Sequence, residues 1–225
     1  MICRLLCIVR PYPEVDTLNN YTASAISRSL LLSVWHRLRS VGIVLFIITT
    51  ILSLVFGLVI FENRNQKLAD IAGLNELGKL PDGHFMGYDP GWLRSFATKL
   101  TPAGRAYFIR SQIQLDFIFP IIYGMWFAAS LAMAFSCMGK LYERFRYLLL
   151  LPFLAVAFDY AENLTIIQLF TDFPNHFTDD MADVASIFTQ LKWLCILLCL
   201  GFIFIGIFTS IRYVKKTSHP LYRPQ

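Results

Sequence analysis

The sequence predicts an all-α membrane protein, an antiparallel bundle of four transmembrane helices with short amphipathic helices in its first extracytoplasmic loop. Three observations carry that expectation. Of 225 residues, 56% are apolar and only 16% charged, and the mean hydropathy is +0.54, whereas a soluble domain carries about a quarter charged residues. Four runs almost free of charge occupy 41–61, 117–138, 148–170 and 191–211, and at about 1.5 Å per residue each reaches roughly the 30 Å of a hydrocarbon core. The intervening pieces are too short to form a separate enzymatic domain, so any activity belongs in or at the bilayer.

Residues 1–40 read as a basic cytoplasmic segment. Its apolar start, Met1–Val9, is short, is broken by Arg4 and lacks a small-residue cleavage site, so the run 41–61 is expected to be an uncleaved anchor. The orientation follows from the short connections. The one holding Lys140, Arg144 and Arg146 is basic, while 171–190 holds Asp172, Asp179, Asp180 and Asp183 and no basic residue, which places both termini in the cytoplasm. The tail 212–225, with Arg212, Lys215 and Lys216, agrees. The net charge of +5 is then mostly membrane-facing, and no nucleic-acid partner is expected. Cys3, Cys7, Cys137, Cys195 and Cys199 fall on the cytoplasmic side or inside runs, where reduced thiols are the rule. Cys3 and Cys7, beside Arg4 and Arg10, are a candidate for acylation.

The loop 62–116 carries turn and helix signals. Pro81-Asp82-Gly83 reads as a turn, and Asp89-Pro90 and Thr101-Pro102 each put a capping oxygen before a proline at the first helical position. Trp92, Leu93, Phe96 and Leu100 recur at helical spacing, with Arg94 and Lys99 pointing elsewhere, so the first helix is expected to lie on the interface or cap the bundle. His84 lacks partner ligands, and no metal or other cofactor is expected.

Within the bundle, small and polar residues line up at helical steps. The second run shows Asp116, Pro120, Tyr123, Phe127, Ser130, Ala134 and Cys137, the fourth Lys192, Cys195, Cys199, Phe202, Gly206 and Thr209, and the first Gly42, Phe46, Thr49, Ser53 and Ile60. The third contributes Pro152, Ala155, Asp159, Glu162, Asn163 and Ile166. An ionisable residue near mid-membrane costs about 2.5–3.5 kcal/mol, while each large apolar residue returns about 0.3–0.6. Asp159 and Glu162 thus nearly cancel their helix, and persist only with partners or water in the bundle interior. With Asn163 they stand at i, i+3 and i+4, on one face.

Counted inward from the ends of their runs, Glu162, Tyr123 and Ser53 are level, about 9–12 Å down. Asp159 lies deeper, and Asp116 and Lys192 stand at the rim, where they are expected to pair. The candidate site is a pocket open to the outer face, with Asp116 and Lys192 as rim, Tyr123 and Ser53 as wall, and Glu162, Asn163 and Asp159 as floor. Two neighbouring carboxylates share a proton unless a cation is bound.

The residues Asp116-x3-Pro120-x2-Tyr123-Gly124 and Asp159-x2-Glu162-Asn163, preceded by Gly104-Arg105-x-Tyr107, resemble bacterial four-helix integral membrane proteins without a known activity. The resemblance covers about residues 100–170 and implies the fold and a bacterial inner-membrane location, with no catalytic residue. Three functional expectations follow. The first is a membrane protein binding a small cationic or lipid-like ligand, or relaying protons, at the acidic pocket. The second is a small membrane enzyme acting on a lipid or isoprenoid, with Glu162 or Asp159 as general acid or base and Tyr123 orienting the substrate. The third is a scaffold or assembly subunit whose seams meet partner membrane helices. Phosphate loops, zinc motifs and nucleophile elbows are missing from the sequence.

Overall fold

The computed structural model describes residues 41–75, 78–136 and 146–217. The basic segment 1–40 with Cys3 and Cys7, the basic connection with Lys140 and Arg144, Cys137 and the end of the tail lie outside the described residues. The described chain is helical and contains no strand. Four stretches are long and apolar enough to cross a membrane, Val41–Ala72, Pro102–Phe135, Tyr147–Thr171 and Asp179–Thr209.

Helix α1 spans Val41–Ala72 and contains a π-turn at Phe56–Ile60. It outruns the apolar run by more than two turns, because Glu62, Arg64, Gln66, Lys67, Leu68 and Ala69 favour helix and Gln66 donates back to Glu62 at 3.0 Å. Gly73, at φ 68°, ends it in the left-handed region, with the Leu74 N–H donating to the carbonyl of Ala69 at 2.9 Å. Helix α2 is Pro90–Lys99, where the Asp89 carboxylate accepts from the Trp92 N–H at 2.8 Å. Helix α3 is Pro102–Ser111, where the Thr101 hydroxyl accepts from the Gly104 N–H at 3.1 Å. A second π-turn, Gln112–Asp116, links α3 to α4, Phe119–Ser136. Helix α5 is Leu151–Thr171 and α6 is Asp179–Thr217.

Helices α5 and α6 pack along one another, and α4 packs against both. Close approach is built in by two glycines. A Cβ at Gly124 would fall 2.6 Å from Val156 Cγ2, and one at Gly206 would fall 2.5 Å from Ala134 Cβ. Helix α1 stands at the edge, its most apolar window only 6% buried. It is held by stacking of Phe46 on Trp126, by a 2.8 Å hydrogen bond from the Trp126 indole N–H to Thr50 Oγ1, and by contacts of its last turns with α3. Large apolar side chains such as Ile47, Leu58, Ile121, Phe153, Leu197 and Phe204 point outward, which water would penalise and lipid accepts.

Two apolar cores result among the described residues. One gathers Leu68, Leu93, Phe96, Leu100, Phe108 and Phe170 at the end of the bundle that α2 covers. The other gathers Tyr123, Phe127, Leu131, Phe135, Cys195 and Cys199 further along. A buried polar layer separates them.

Candidate functional site

That layer is assembled from all four long helices. Every described member of the α4 and α5 stripes is buried, from Asp116 to Ala134 and from Pro152 to Ile166. At its centre is Lys192, whose Nζ donates to Glu162 Oε2 at 2.6 Å and to Asp82 Oδ1 at 3.0 Å, and lies 3.5 Å from Asp159 Oδ1. The other Asp159 oxygen accepts from the Tyr123 hydroxyl at 2.7 Å. Asn163 Nδ2 donates to Asp159 Oδ1 at 3.0 Å, and its carbonyl oxygen accepts from Gln112 Nε2 at 3.1 Å. One helical turn from Gln112, Asp116 Oδ2 receives Arg64 Nη1 at 2.6 Å, with both side chains at least 94% buried.

The expected rim pair of Asp116 with Lys192 is therefore corrected to Asp116 with Arg64 and Lys192 with Glu162, Asp82 and Asp159. The reason lies in helix length. The apolar run begins at 191, but α6 starts at Asp179, so Lys192 is about 20 Å into its helix. The acidic stretch expected to be a loop is helical from Asp179 onward, its carboxylates favourably set against the positive end of the helix dipole. Of the expected wall and floor, Ser53, Glu162 and Asn163 do not line the cavity: the Ser53 hydroxyl is buried with no hydrogen-bond partner among the described residues, and Glu162 and Asn163 are bonded to Lys192 and Asp159, which do line it.

Three functional neighbours escaped the sequence reading. Arg64 lies one further step of four beyond Ile60 in the α1 stripe, and Gln112 one step of four before Asp116; extending the stripes past the apolar runs would have found both. Asp82 had only its turn signal. It is delivered by the segment between α1 and α2, where its main-chain carbonyl accepts from the Trp193 indole N–H at 3.0 Å.

The cavity beside this network has a volume of about 540 Å³. Its polar wall is made by Arg64, Asn65, Lys79, Asp82, Asp116, Tyr123, Asp159 and Lys192. Phe61, Phe119, Pro120, Phe127 and Ile196 form the apolar wall. Asp82 stands outside the spans and its side chain is 35% exposed. Burial alone would raise its pKa, but the Lys192 ammonium and the Arg64 charge hold the carboxyl below the ordinary range. Carboxylate oxygens of Asp82, Asp159 and Glu162 lie within 4.8 Å of one another, a donor set suited to a cation, and the tethered ammonium of Lys192 sits among them.

The layer thus holds four carboxylates and two basic side chains, next to a mostly apolar cavity that Lys79 also lines. Chemically it can receive a cationic group or exchange protons among carboxylates held by one ammonium. The chain was compared with protein-family models, curated proteins and solved structures, and none of them matches it.

Proposed function

We propose that this is an integral membrane protein of the bacterial inner membrane, an antiparallel bundle with both termini cytoplasmic, whose cavity binds a small amphiphile with a cationic head. The observation that carries the proposal is the charge imbalance at one cavity. In the buried layer beside it Asp116, Asp159 and Glu162 stand against Arg64 and Lys192, while Asp82 and Lys79 lie at the more exposed edge, and a surplus of carboxylates in a buried place is balanced by protons or by a bound cation. The apolar wall of Phe61, Phe119 and Phe127 suits the hydrocarbon part of the same ligand. Entry is from the end of the bundle carrying Asp82, which the acidic, Lys- and Arg-free stretch 171–190 assigns to the outer face.

The proton-linked form of this function has its own support. Tyr123, Asp159, Lys192 and Glu162 form an unbroken series of contacts no longer than 3.5 Å, along which a proton gained at the cavity is felt by every member.

The test uses detergent-purified wild type, Asp159→Asn and Glu162→Gln. Thermal stability is measured with a short-chain alkylamine and with the matched alcohol, and native mass spectrometry reads copurified species. Stabilisation of wild type by the amine alone, lost in both variants, is the expected result. Equal response to amine and alcohol, or an unchanged response in the variants, refutes the proposal and favours a scaffold whose polar layer only fixes packing.

A further inference from the structure

A second cavity, of about 590 Å³, opens between α3 and the C-terminal end of α5. It is independent of the acidic layer and opposite in sign. Its lining includes Arg105 and Arg110 and no acidic residue. Arg105 uses one guanidinium nitrogen, Nη1, on the carbonyls of Ala97 at 2.9 Å and Leu100 at 2.6 Å, and lies 4.9 Å from the Phe173 ring centroid. That leaves the Nη2 edge of a fixed guanidinium for another acceptor. Arg110 is exposed and forms no ion pair among the described residues.

The floor of the groove is apolar, with Ile109, Ile113 and Phe170. Below it the helix faces continue in kind. From Thr171, in the lining, steps of four and three along α5 lead through Ile167 and Leu164 to Tyr160. Tyr160 in turn meets Phe117, one step beyond Ile113, with ring centroids 5.3 Å apart. Ile113 and Leu164 are each 54% exposed. This track is about 16 Å long, half of a hydrocarbon core, and starts where the apolar runs of α4 and α5 end.

We infer that this groove is a phospholipid site selective for an anionic headgroup, with the phosphate between Arg105 and Arg110 and one acyl chain along the Ile113–Tyr160 track. Guanidinium groups match phosphate oxygens in paired geometry, and a basic groove at the polar boundary of a bilayer is how membrane proteins hold such headgroups. The occupant is a lipid because the basic end continues into an apolar track of leaflet length.

The protein is reconstituted in nanodiscs of equal phosphatidylglycerol and phosphatidylcholine, released, and its retained lipid counted by native mass spectrometry. Wild type is expected to retain phosphatidylglycerol preferentially. Arg110→Gln should cut that preference by about fivefold, the size expected for one basic side chain at an anionic surface, and Arg110→Glu should abolish it. Because Arg110 is exposed, neither change threatens the fold. Inorganic phosphate should neither stabilise the protein nor displace the lipid. Equal retention of both lipids by wild type, a preference unchanged in both variants, or displacement by inorganic phosphate overturns the inference.

Discussion

Lys192→Met keeps the length of the side chain and removes the ammonium that three carboxylates share. Glu162 is the partner most affected. It is fully buried, its Oε1 has no partner, and its Oε2 is held by Lys192 alone at 2.6 Å, so the substitution leaves the group with no hydrogen bond among the described residues. Removing one member of a buried ion pair costs about 3–5 kcal/mol. Asp82, 35% exposed, recovers water and adds little. Glu162→Gln leaves Lys192 with Asp82 and Asp159, and should cost less, about 1–3 kcal/mol. In Lys192→Met with Glu162→Gln the stranded charge is gone, so the double variant should lose less than the two single losses together, by about 0.5–3 kcal/mol. Reversible unfolding in mixed micelles, followed by tryptophan fluorescence with Trp193 adjacent to the site, measures all four proteins. Strict additivity would show that Lys192 and Glu162 do not depend on each other, and the central ion cluster would lose its role.

Gly206→Ala should destabilise the protein by about 1–3 kcal/mol, since its Cβ would meet Ala134 Cβ at 2.5 Å and Cα at 2.8 Å, whereas Gly201→Ala, with open space around it, should be neutral or stabilising in the same unfolding assay. Asp82→Asn should cost about 1 kcal/mol near neutral pH, a charged hydrogen bond discounted for exposure. Because the folded carboxyl titrates below its ordinary 3.8, its contribution is present above that value and disappears as pH falls through the folded value; a wild-type advantage that varies between about pH 5 and 8 would contradict this. His84 is held below its ordinary 6.5 by burial and by Lys79. The unfolded chain therefore binds the proton more readily, so stability should decline as pH drops from about 7 towards 5. In denaturation curves across that range, His84→Gln should flatten the decline, and an unaltered slope would remove His84 from the account.

What the sequence made legible was the membrane-crossing character of four segments and the identity of most polar residues inside them. Asp159, Glu162 and Asn163 were conspicuous because hydrocarbon makes a polar residue expensive wherever it occurs, with no knowledge of its partners. Their partners were less legible for two physical reasons. Hydropathy marks where a helix leaves lipid and not where the helix ends, so the extensions of α1 and α6 beyond their apolar runs, with Arg64 and the depth of Lys192, are not visible in it. Asp82 reaches Lys192 across 110 residues of sequence, and no local periodicity encodes a contact of that range. Among seven basic residues in 62–116, only the continuation of the α1 stripe distinguishes Arg64.

The separation of Lys192 from its carboxylates along the chain bears on biogenesis. Asp159 and Glu162 leave the ribosome first, and the neutralising ammonium follows thirty residues behind Glu162, about 1.5–6 s later at ordinary elongation rates. For that interval α5 carries two acids whose combined insertion cost is about 5–7 kcal/mol. The third segment is thus poorly suited to partition into lipid alone, and the fourth brings the charge that makes it acceptable. The cluster at the centre of the folded protein thus favours joint insertion of α5 and α6, and a truncation before residue 192 is expected to leave the third segment stalled at the translocation machinery or exposed to quality-control proteases.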